Sequence, residues 1–260
     1  MLEFLFRPAL FDGVLIVMAC LAVVVFFCLH LVTAGYGMMR TAGWGPSVAN
    51  RLGWVVMEVP SFAVMLLLWI FSPRAGCAAP AVMASLFLLH YFQRSFIFPL
   101  LIRGRSRMPW TIIIMGVVFN IINAYMIGGW IFYVSPDSYY PDSWLASPQF
   151  ILGTFLFFWG MFINLQSDRI VRNLRKPGDT GHYIPRGGMY RYVTSANYFG
   201  EFMEWTGFAI LSWSYAGAVF ALWTFANLAP RARSLHRRYQ SEFGTEYAAL
   251  HRRYIIPFIY

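Results

Sequence analysis

The sequence predicts an all-α integral membrane protein with seven transmembrane helices, and its composition is the first reason. Of the 260 residues, 59% are hydrophobic and only 12% are charged, whereas soluble domains carry about 25% charged residues. Seven spans of roughly 20 residues each would use over half of the chain. What remains is enough for loops and a tail, so residues 1–260 are expected to form one membrane domain.

The predicted spans follow the apolar runs of the chain. The first run is long for a signal peptide and no clear cleavage site follows it, so it is expected to remain as a span. The last two runs are short and nearly continuous, which predicts a helical hairpin that turns around Ser212 to Ala216. The seven runs lie near residues 10–32, 54–71, 79–102, 110–133, 147–167, 197–213 and 216–230.

The orientation follows from the basic residues. With seven spans, loops one, three and five and the tail share one side, and they hold 17 of the 20 Lys and Arg residues. The positive-inside rule therefore predicts an outside N-terminus and a cytoplasmic C-terminus. Such a multi-pass protein belongs in the endoplasmic reticulum of a eukaryote or the inner membrane of a bacterium. The basic residues lie at membrane boundaries without a binding motif, so no nucleic-acid partner is expected.

Ionisable residues inside spans are expensive and are therefore functional candidates. Glu58 opens the second span, where a carboxylate at the start of a helix is an equally good interpretation. His90 and Tyr91 lie deep in the third span, where a structural network between helices is the alternative to a functional role. Arg94 shares a face with His90 but lies nearer the cytoplasmic end. A snorkelling side chain is therefore a simpler interpretation of Arg94.

Two polar stripes follow on the fifth and sixth spans, at helical spacing. The first consists of Asn164, Asp168, Arg172 and Arg175, and the second of Asn197, Glu201, Glu204 and Trp205. An exposed salt bridge between Asp168 and Arg172 would explain part of the first stripe but not Asn164. Two carboxylates one turn apart on the sixth span repel each other unless they have donors or are protonated, which favours a functional role.

The basic loop between these stripes would bring both polar faces together at the cytoplasmic end. Amides, carboxylates and arginines around one cavity suit a large, polar, anionic ligand such as a nucleotide cofactor. The chain has no Gly-x-Gly-x-x-Gly run, so the site would not be a Rossmann site. The cysteines lack the spacing of metal ligands, and no metal site is predicted.

At these residues the sequence resembles the steroid 5α-reductase family along nearly its whole length. The densest part of the match comprises Leu174-Arg175-Lys176-Pro177-Gly178, Ile184-Pro185, Gly187-Gly188, Ser195-Ala196-Asn197-Tyr198-Phe199-Gly200-Glu201 and Glu204-Trp205. Further matches are Gly35-Tyr36-Gly37, Glu58 with Pro60-Ser61-Phe62, His90-Tyr91-Phe92, Arg103-Gly104-Arg105, His236-Arg237-Arg238-Tyr239 and Ile256-Pro257-Phe258. The chain departs from the family pattern at Met57, Ile102 and His182.

The resemblance implies NADPH-dependent reduction of the 4,5 double bond of a 3-oxo-Δ4-steroid, by hydride transfer to the enone β-carbon. Glu58 and Tyr91 would bind the ketone oxygen of the steroid or sterol-like lipid, with Glu204 and Trp205 also in the substrate site. The cofactor would be held by Tyr36, Arg105, Asn164, Asp168, Arg175, Asn197, Glu201, His236 and Tyr239. Residues 1–146 would mainly form the substrate pocket and residues 147–260 the cofactor site, with membrane lipid around them and no obligate protein partner.

Two other functions are weighed against this one. A membrane methyltransferase of the isoprenylcysteine type has similar C-terminal helices and binds S-adenosylmethionine, but it would need neither Glu58 nor Tyr91. A proton-coupled transporter would use the buried carboxylates as a relay. Against the transporter, the charged groups crowd the cytoplasmic half and no inverted repeat is found.

Overall fold

A computed structural model describes residues 2–32, 43–103, 106–174, 179 and 181–260. The predicted all-α class is confirmed, because 76% of the structure is helical. Two π-helical segments, Gln93–Ile97 and Trp130–Val134, prolong the fourth and sixth helices, and Asp142–Ala146 and Gly188–Arg191 are short 3-10 helices. The α-helices are α1 (Leu2–Leu5), α2 (Pro8–Leu31), α3 (Asn50–Ile70), α4 (Ala78–Phe92), α5 (Phe98–Leu101), α6 (Trp110–Gly129), α7 (Pro148–Asn173), α8 (Ala196–Ser212) and α9 (Tyr215–Ala248).

Among the described residues, five helical segments are long and apolar enough to cross a membrane, and they coincide with the first five predicted spans. They are Pro8–Leu31, Asn50–Ile70, Ala78–Leu101, Trp110–Val134 and Pro148–Asn173. The sixth and seventh predicted spans are also helical, but α8 has only 17 residues. The apolar run near residues 216–230 is only the first half of α9, which continues through Pro230 into a polar half.

The predicted hairpin between the last two helices is present. Helix α8 ends at Ser212, and α9 begins two residues after Trp213. The Ser214 hydroxyl caps α9 by accepting a hydrogen bond from the Gly217 amide at 3.0 Å, which satisfies one of the free N–H groups at a helix start. The Tyr140 hydroxyl donates to the Ser212 carbonyl at 2.6 Å, so the end of α8 is also held.

Helices α7 and α8 pack backbone against backbone. A Cβ atom added at Gly160 would lie 2.3 Å from the Glu204 amide nitrogen, and one added at Gly200 would lie 2.4 Å from the Asn164 nitrogen. Small residues at a helix contact allow this close approach in membrane proteins. The contact matters for the site because it brings the two predicted polar stripes face to face.

The variant Gly160→Ala is expected to be destabilised, because its methyl group meets backbone atoms that cannot turn aside. Overpacking of this kind typically costs about 1–3 kcal/mol. Thermal unfolding in detergent would measure the effect. Gly13→Ala is the matched control, since no neighbouring atom of the described part of the chain lies within 4 Å of a Cβ at Gly13. Equal melting temperatures for the two variants would contradict the close α7–α8 contact.

A small antiparallel ribbon, which the sequence analysis did not predict, ties two helix starts together. Strand β1 (Ser47–Ala49) leads directly into α3, and β2 (Arg107–Pro109) leads directly into α6. The two helices therefore start at one end of the molecule and run side by side. At 1.5 Å per residue, Glu58 and Asn120 lie at similar depths, about 12 Å and 15 Å from these helix starts.

Candidate active site

A buried ion cluster joins three helical segments around Arg94. Its guanidinium donates to Asp168 Oδ2 at 3.1 Å and to Glu201 Oε2 at 2.9 Å. Arg94 is only 7% exposed, and its charge lies 5.4 Å from the Trp54 ring centre and 4.7 Å from that of Phe98. The snorkelling interpretation of Arg94 is therefore wrong. Two carboxylates and two aromatic faces hold the side chain inside, where a cation–π contact is strengthened by desolvation.

The two predicted stripes meet in this cluster. Asn197 donates through Nδ2 to Asp168 Oδ1 at 3.1 Å, and Asn164 donates through Nδ2 to the Asn197 carbonyl at 2.9 Å. Asp168 thus takes its ion pair from Arg94 on a neighbouring segment. The alternative of an exposed salt bridge between Asp168 and Arg172 is wrong, because Asp168 is turned towards the interior.

The second carboxylate of α8 has a separate partner. Glu204 Oε1 lies 2.8 Å from His90 Nδ1, and the side chains are 1% and 6% exposed. The His90 ring also meets Trp205 edge to face, with centroids 4.5 Å apart. His90 and Arg94, one helical turn apart, therefore supply separate donors to Glu204 and Glu201. This arrangement relieves the repulsion between the two carboxylates.

Glu58 and Tyr91 are connected through an amide that the sequence analysis did not consider. Asn120 Nδ2 lies 3.3 Å from Glu58 Oε2, and the Tyr91 hydroxyl lies 3.4 Å from Asn120 Oδ1. Asn123 Nδ2 donates to the Tyr91 hydroxyl at 3.2 Å. Tyr91 and Asn120 are 3% and 4% exposed, so this amide cluster of Glu58, Tyr91, Asn120 and Asn123 lies inside the protein.

The amide cluster and the ion cluster are adjacent. Glu58 lies within electrostatic range of Arg94, His90 and Glu201. Trp54, which covers the Arg94 charge, is one turn before Glu58 on α3. The residues assigned to substrate and to cofactor by resemblance therefore border one another. A reaction between two bound molecules needs this proximity.

A third group of polar residues lies beyond Pro230, around the predicted cofactor residues His236 and Tyr239. The Thr194 hydroxyl is 2.7 Å from His236 Nδ1 and 2.6 Å from the Tyr247 hydroxyl. Burial and the nearby Arg252 lower the pKa of His236 below its usual 6.5. Burial and Tyr247 raise the pKa of Tyr239 to about 12. At neutral pH His236 is therefore neutral, and Tyr239 keeps its proton as a hydrogen-bond donor.

Arg252 in the C-terminal segment is a buried cation with spare donors. Its Nη2 donates to the Pro185 carbonyl at 2.8 Å. Its guanidinium lies 5.8 Å from the Tyr247 ring centre and within reach of that side chain, but Nε and Nη1 are buried and make no hydrogen bond of normal geometry to a described residue. Unsatisfied donors on a buried guanidinium suit an oxyanion such as a phosphate. Nothing in the spacing of the basic residues of the tail distinguishes Arg252 from the others.

Of the residues assigned to the cofactor by resemblance, three lie outside the described residues: Tyr36, Arg105 and Arg175.

An apolar groove of about 430 Å³ lies on α7. Its lining consists of Thr154, Phe155, Phe158, Trp159 and Phe162. None of these side chains is ionisable, so the groove does not belong to the polar site. Asn120 and Asn123 were missed because, unlike Asn164 and Asn197, they share their span with no Asp, Glu, Lys, Arg or His residue. Two amides three residues apart in an apolar span were the available signal.

Comparison with known proteins gives consistent matches. A family model described as 3-oxo-5-alpha-steroid 4-dehydrogenase matches residues 106–260. The chain is 40% identical to 3-oxo-5-alpha-steroid 4-dehydrogenase 1 of Bos taurus, over 96% of this chain and 97% of that protein. It is 45% identical to the protein of the same name from Homo sapiens, over 82% of this chain and 81% of that one. Its identity to a steroid 5-alpha-reductase of Arabidopsis thaliana is 38%, over 89% and 90% of the two chains.

Proposed function

The chain belongs to the 3-oxo-5-alpha-steroid 4-dehydrogenase family, and on that premise we propose that it is an NADPH-dependent reductase of the 4,5 double bond of 3-oxo-Δ4-steroids. The observation that carries the proposal is the hydrogen-bonded link between Glu58 and Tyr91 beside the Arg94 ion cluster. Two groups able to donate to a ketone oxygen thus border a polar region suited to a nucleotide.

The polar residues fit an NADPH molecule chemically. In the ion cluster, the carboxylates of Asp168 and Glu201 outnumber the single charge of Arg94, so they keep capacity to accept hydrogen bonds from ribose hydroxyls and an amide. The spare donors of Arg252 suit a phosphate. When bound, NADPH supplies the hydride. The residues proposed to hold it are Asn164, Asp168, Asn197, Glu201, His236 and Tyr239, together with Tyr36, Arg105 and Arg175.

The substrate residues stabilise charge on the steroid. As hydride adds to the β-carbon of an enone, negative charge builds on the ketone oxygen, and aligned donors lower the barrier. Tyr91 donates its phenolic proton, and Glu58 in its neutral form donates the proton of its carboxyl group. Trp205, which is 1% exposed, and Glu204, which His90 holds, are proposed to contact the steroid too. Residues 1–146 would then mainly serve the substrate and residues 147–260 the cofactor.

We further propose that α8 and the first half of α9 complete seven spans, with the N-terminus outside. The distribution of 17 of 20 basic residues on one side supports this orientation. The membrane would be the endoplasmic reticulum of a eukaryotic cell or the inner membrane of a bacterium.

The orientation is testable with reporters at both ends. A reporter after Tyr260 is expected to be cytoplasmic, and a tag before Met1 is expected to be accessible only from the other side. Protease protection in sealed vesicles would measure both, and a tag in the loop around Asp137 is the matched control for the outer face. Both ends on the same side would mean that α8 and α9 do not both cross.

The function itself is tested on purified protein in two steps. NADPH, but not S-adenosylmethionine, is expected to raise the melting temperature. NADPH consumption is then measured with 3-oxo-Δ4-steroids and with non-steroid enones, and mass spectrometry should find two hydrogens added to the steroid. Stabilisation by S-adenosylmethionine alone would favour the methyltransferase. Proton flux in proteoliposomes without steroid reduction would favour the transporter.

A further inference from the structure

We propose that Asn120 is a positioning residue that holds Glu58 and Tyr91 in register and fixes which Glu58 oxygen faces the substrate. This inference rests on the proposed function, because it assumes that Glu58 and Tyr91 activate the steroid ketone. It adds a residue on α6 to a pair that lies on α3 and α4, and so gives that pair a common support.

The hydrogen-bonding capacity of the Asn120 side chain is fully used. Its amide nitrogen has two protons, directed at the Met57 carbonyl at 2.7 Å and at Glu58 Oε2 at 3.3 Å. Its amide oxygen has two acceptor positions, which face the Ser61 hydroxyl at 2.9 Å and the Tyr91 hydroxyl at 3.4 Å. A side chain with every position occupied on separate partners is locked in orientation. Asn120 is also only 4% exposed, so water does not compete for these partners.

This orientation has a direct consequence for Glu58. Because Asn120 donates to Oε2, a neutral Glu58 carboxyl is expected to use Oε2 as its carbonyl oxygen, the better acceptor, and to carry its proton on Oε1. The proton available to a ketone oxygen is thereby placed on one defined atom. Without the amide, either oxygen could carry the proton and the donor geometry would be lost for part of the time.

Asn120 also acts on Tyr91. The phenolic proton faces Asn120 Oδ1 at 3.4 Å, which is longer than a strong hydrogen bond between oxygens. The Asn123 amide occupies an acceptor position of the same hydroxyl at 3.2 Å. The weak contact to Asn120 keeps the hydroxyl aimed into the cluster, and a ketone oxygen can replace it at small cost.

A purely structural role must be distinguished from this one, since the bond to Met57 also fastens α6 to α3. Asn120→Asp keeps the shape of the side chain but, in its ionised form, removes both donors. It is expected to lower kcat up to about 10²-fold, as small misplacements of reacting groups do, with NADPH affinity close to wild type. The melting temperature should fall, because the bond to Met57 is lost and a carboxyl group is buried. Ser61→Ala is the comparison variant, because it removes an Asn120 partner and leaves the contact of Asn120 to Glu58 in place. Ser61 also contacts the Tyr91 hydroxyl, so this variant should lose some kcat, but less than Asn120→Asp does.

The decisive measurement is a double-mutant comparison. In the double variant Glu58→Gln, Asn120→Asp, the amide and the carboxyl group exchange positions. Asn120→Asp is therefore expected to lower kcat clearly less in the Glu58→Gln background than in the wild type. Equal losses in both backgrounds, or wild-type kcat in Asn120→Asp alone, would overturn the inference. Asn120→Ala, and a Tyr91→Phe background, serve as second choices if a variant does not fold or turn over. Near-normal turnover in both Glu58→Gln and Tyr91→Phe would instead count against the proposed function.

Discussion

Tyr91→Phe is expected to bind NADPH normally and to turn over roughly 10²–10³-fold more slowly, the usual effect of losing one donor to a developing oxyanion. The lost hydroxyl lies in the amide cluster, between Asn120 and Asn123, and it makes no hydrogen bond to those cofactor residues that the structure describes. Single-turnover rates with a 3-oxo-Δ4-steroid, together with NADPH titration, would measure both properties.

Glu58→Gln makes a useful companion variant, because glutamine offers an amide donor but no proton to transfer. If Glu58 acts as a neutral hydrogen-bond donor, its variant should keep some activity. If it must deliver a proton, activity should vanish. NADPH binding should persist in either case. Near-normal turnover in both variants would refute carbonyl activation by this pair and leave the cofactor residues untouched.

The parts of the site that depend on spacing within one helix were predictable. Asn164 and Asp168 are one turn apart, as are Asn197 and Glu201, so each pair had to share a face. The two faces meet because Gly160 and Gly200 allow the helices to touch. The glycines were visible in the sequence, but only the fold reveals that they oppose each other.

The parts that depend on distant partners were not predictable. Arg94 could extend to the membrane surface or stay inside, and its own helix does not decide between these states. Asp168 and Glu201, which follow 74 and 107 residues later, decide it by offering two carboxylates in the interior. Asn120 escaped notice for a related reason, since a neutral amide carries no charge that marks it as out of place.

The short ribbon and the long last helix also have physical explanations outside local sequence. Strands β1 and β2 have three residues each, too few for an alternating pattern to be recognised. Helix α9 continues through Pro230, because buried side chains such as His236 and Tyr239 continue to pack beyond it. Tertiary packing thus extends the helix beyond its apolar run.

Arg94→Met is expected to lose stability by about 3–5 kcal/mol, since it leaves Asp168 and Glu201 buried without their cation. Arg186 provides the matched control. It forms an Arg–Glu pair of 2.8 Å with Glu246, but the side chains are 59% and 62% exposed. Exposed pairs contribute about 0–1 kcal/mol, so Arg186→Met should unfold almost as the wild type does. Chemical denaturation in detergent would compare the two variants.

Stability and NADPH binding are expected to respond differently when Glu201 or Asn197 is changed. Glu201→Ala leaves Arg94 paired with Asp168 in a balanced pair, and Asn197→Ala removes only a hydrogen bond. Both should therefore remain folded and yet lose NADPH binding. Combining Arg94→Met with Glu201→Ala removes one charge of each sign, so it should recover part of the lost stability without restoring NADPH binding. Wild-type NADPH affinity in Glu201→Ala or Asn197→Ala would show that the changed residue does not belong to the cofactor site. Its role would then be limited to binding Arg94 or Asp168.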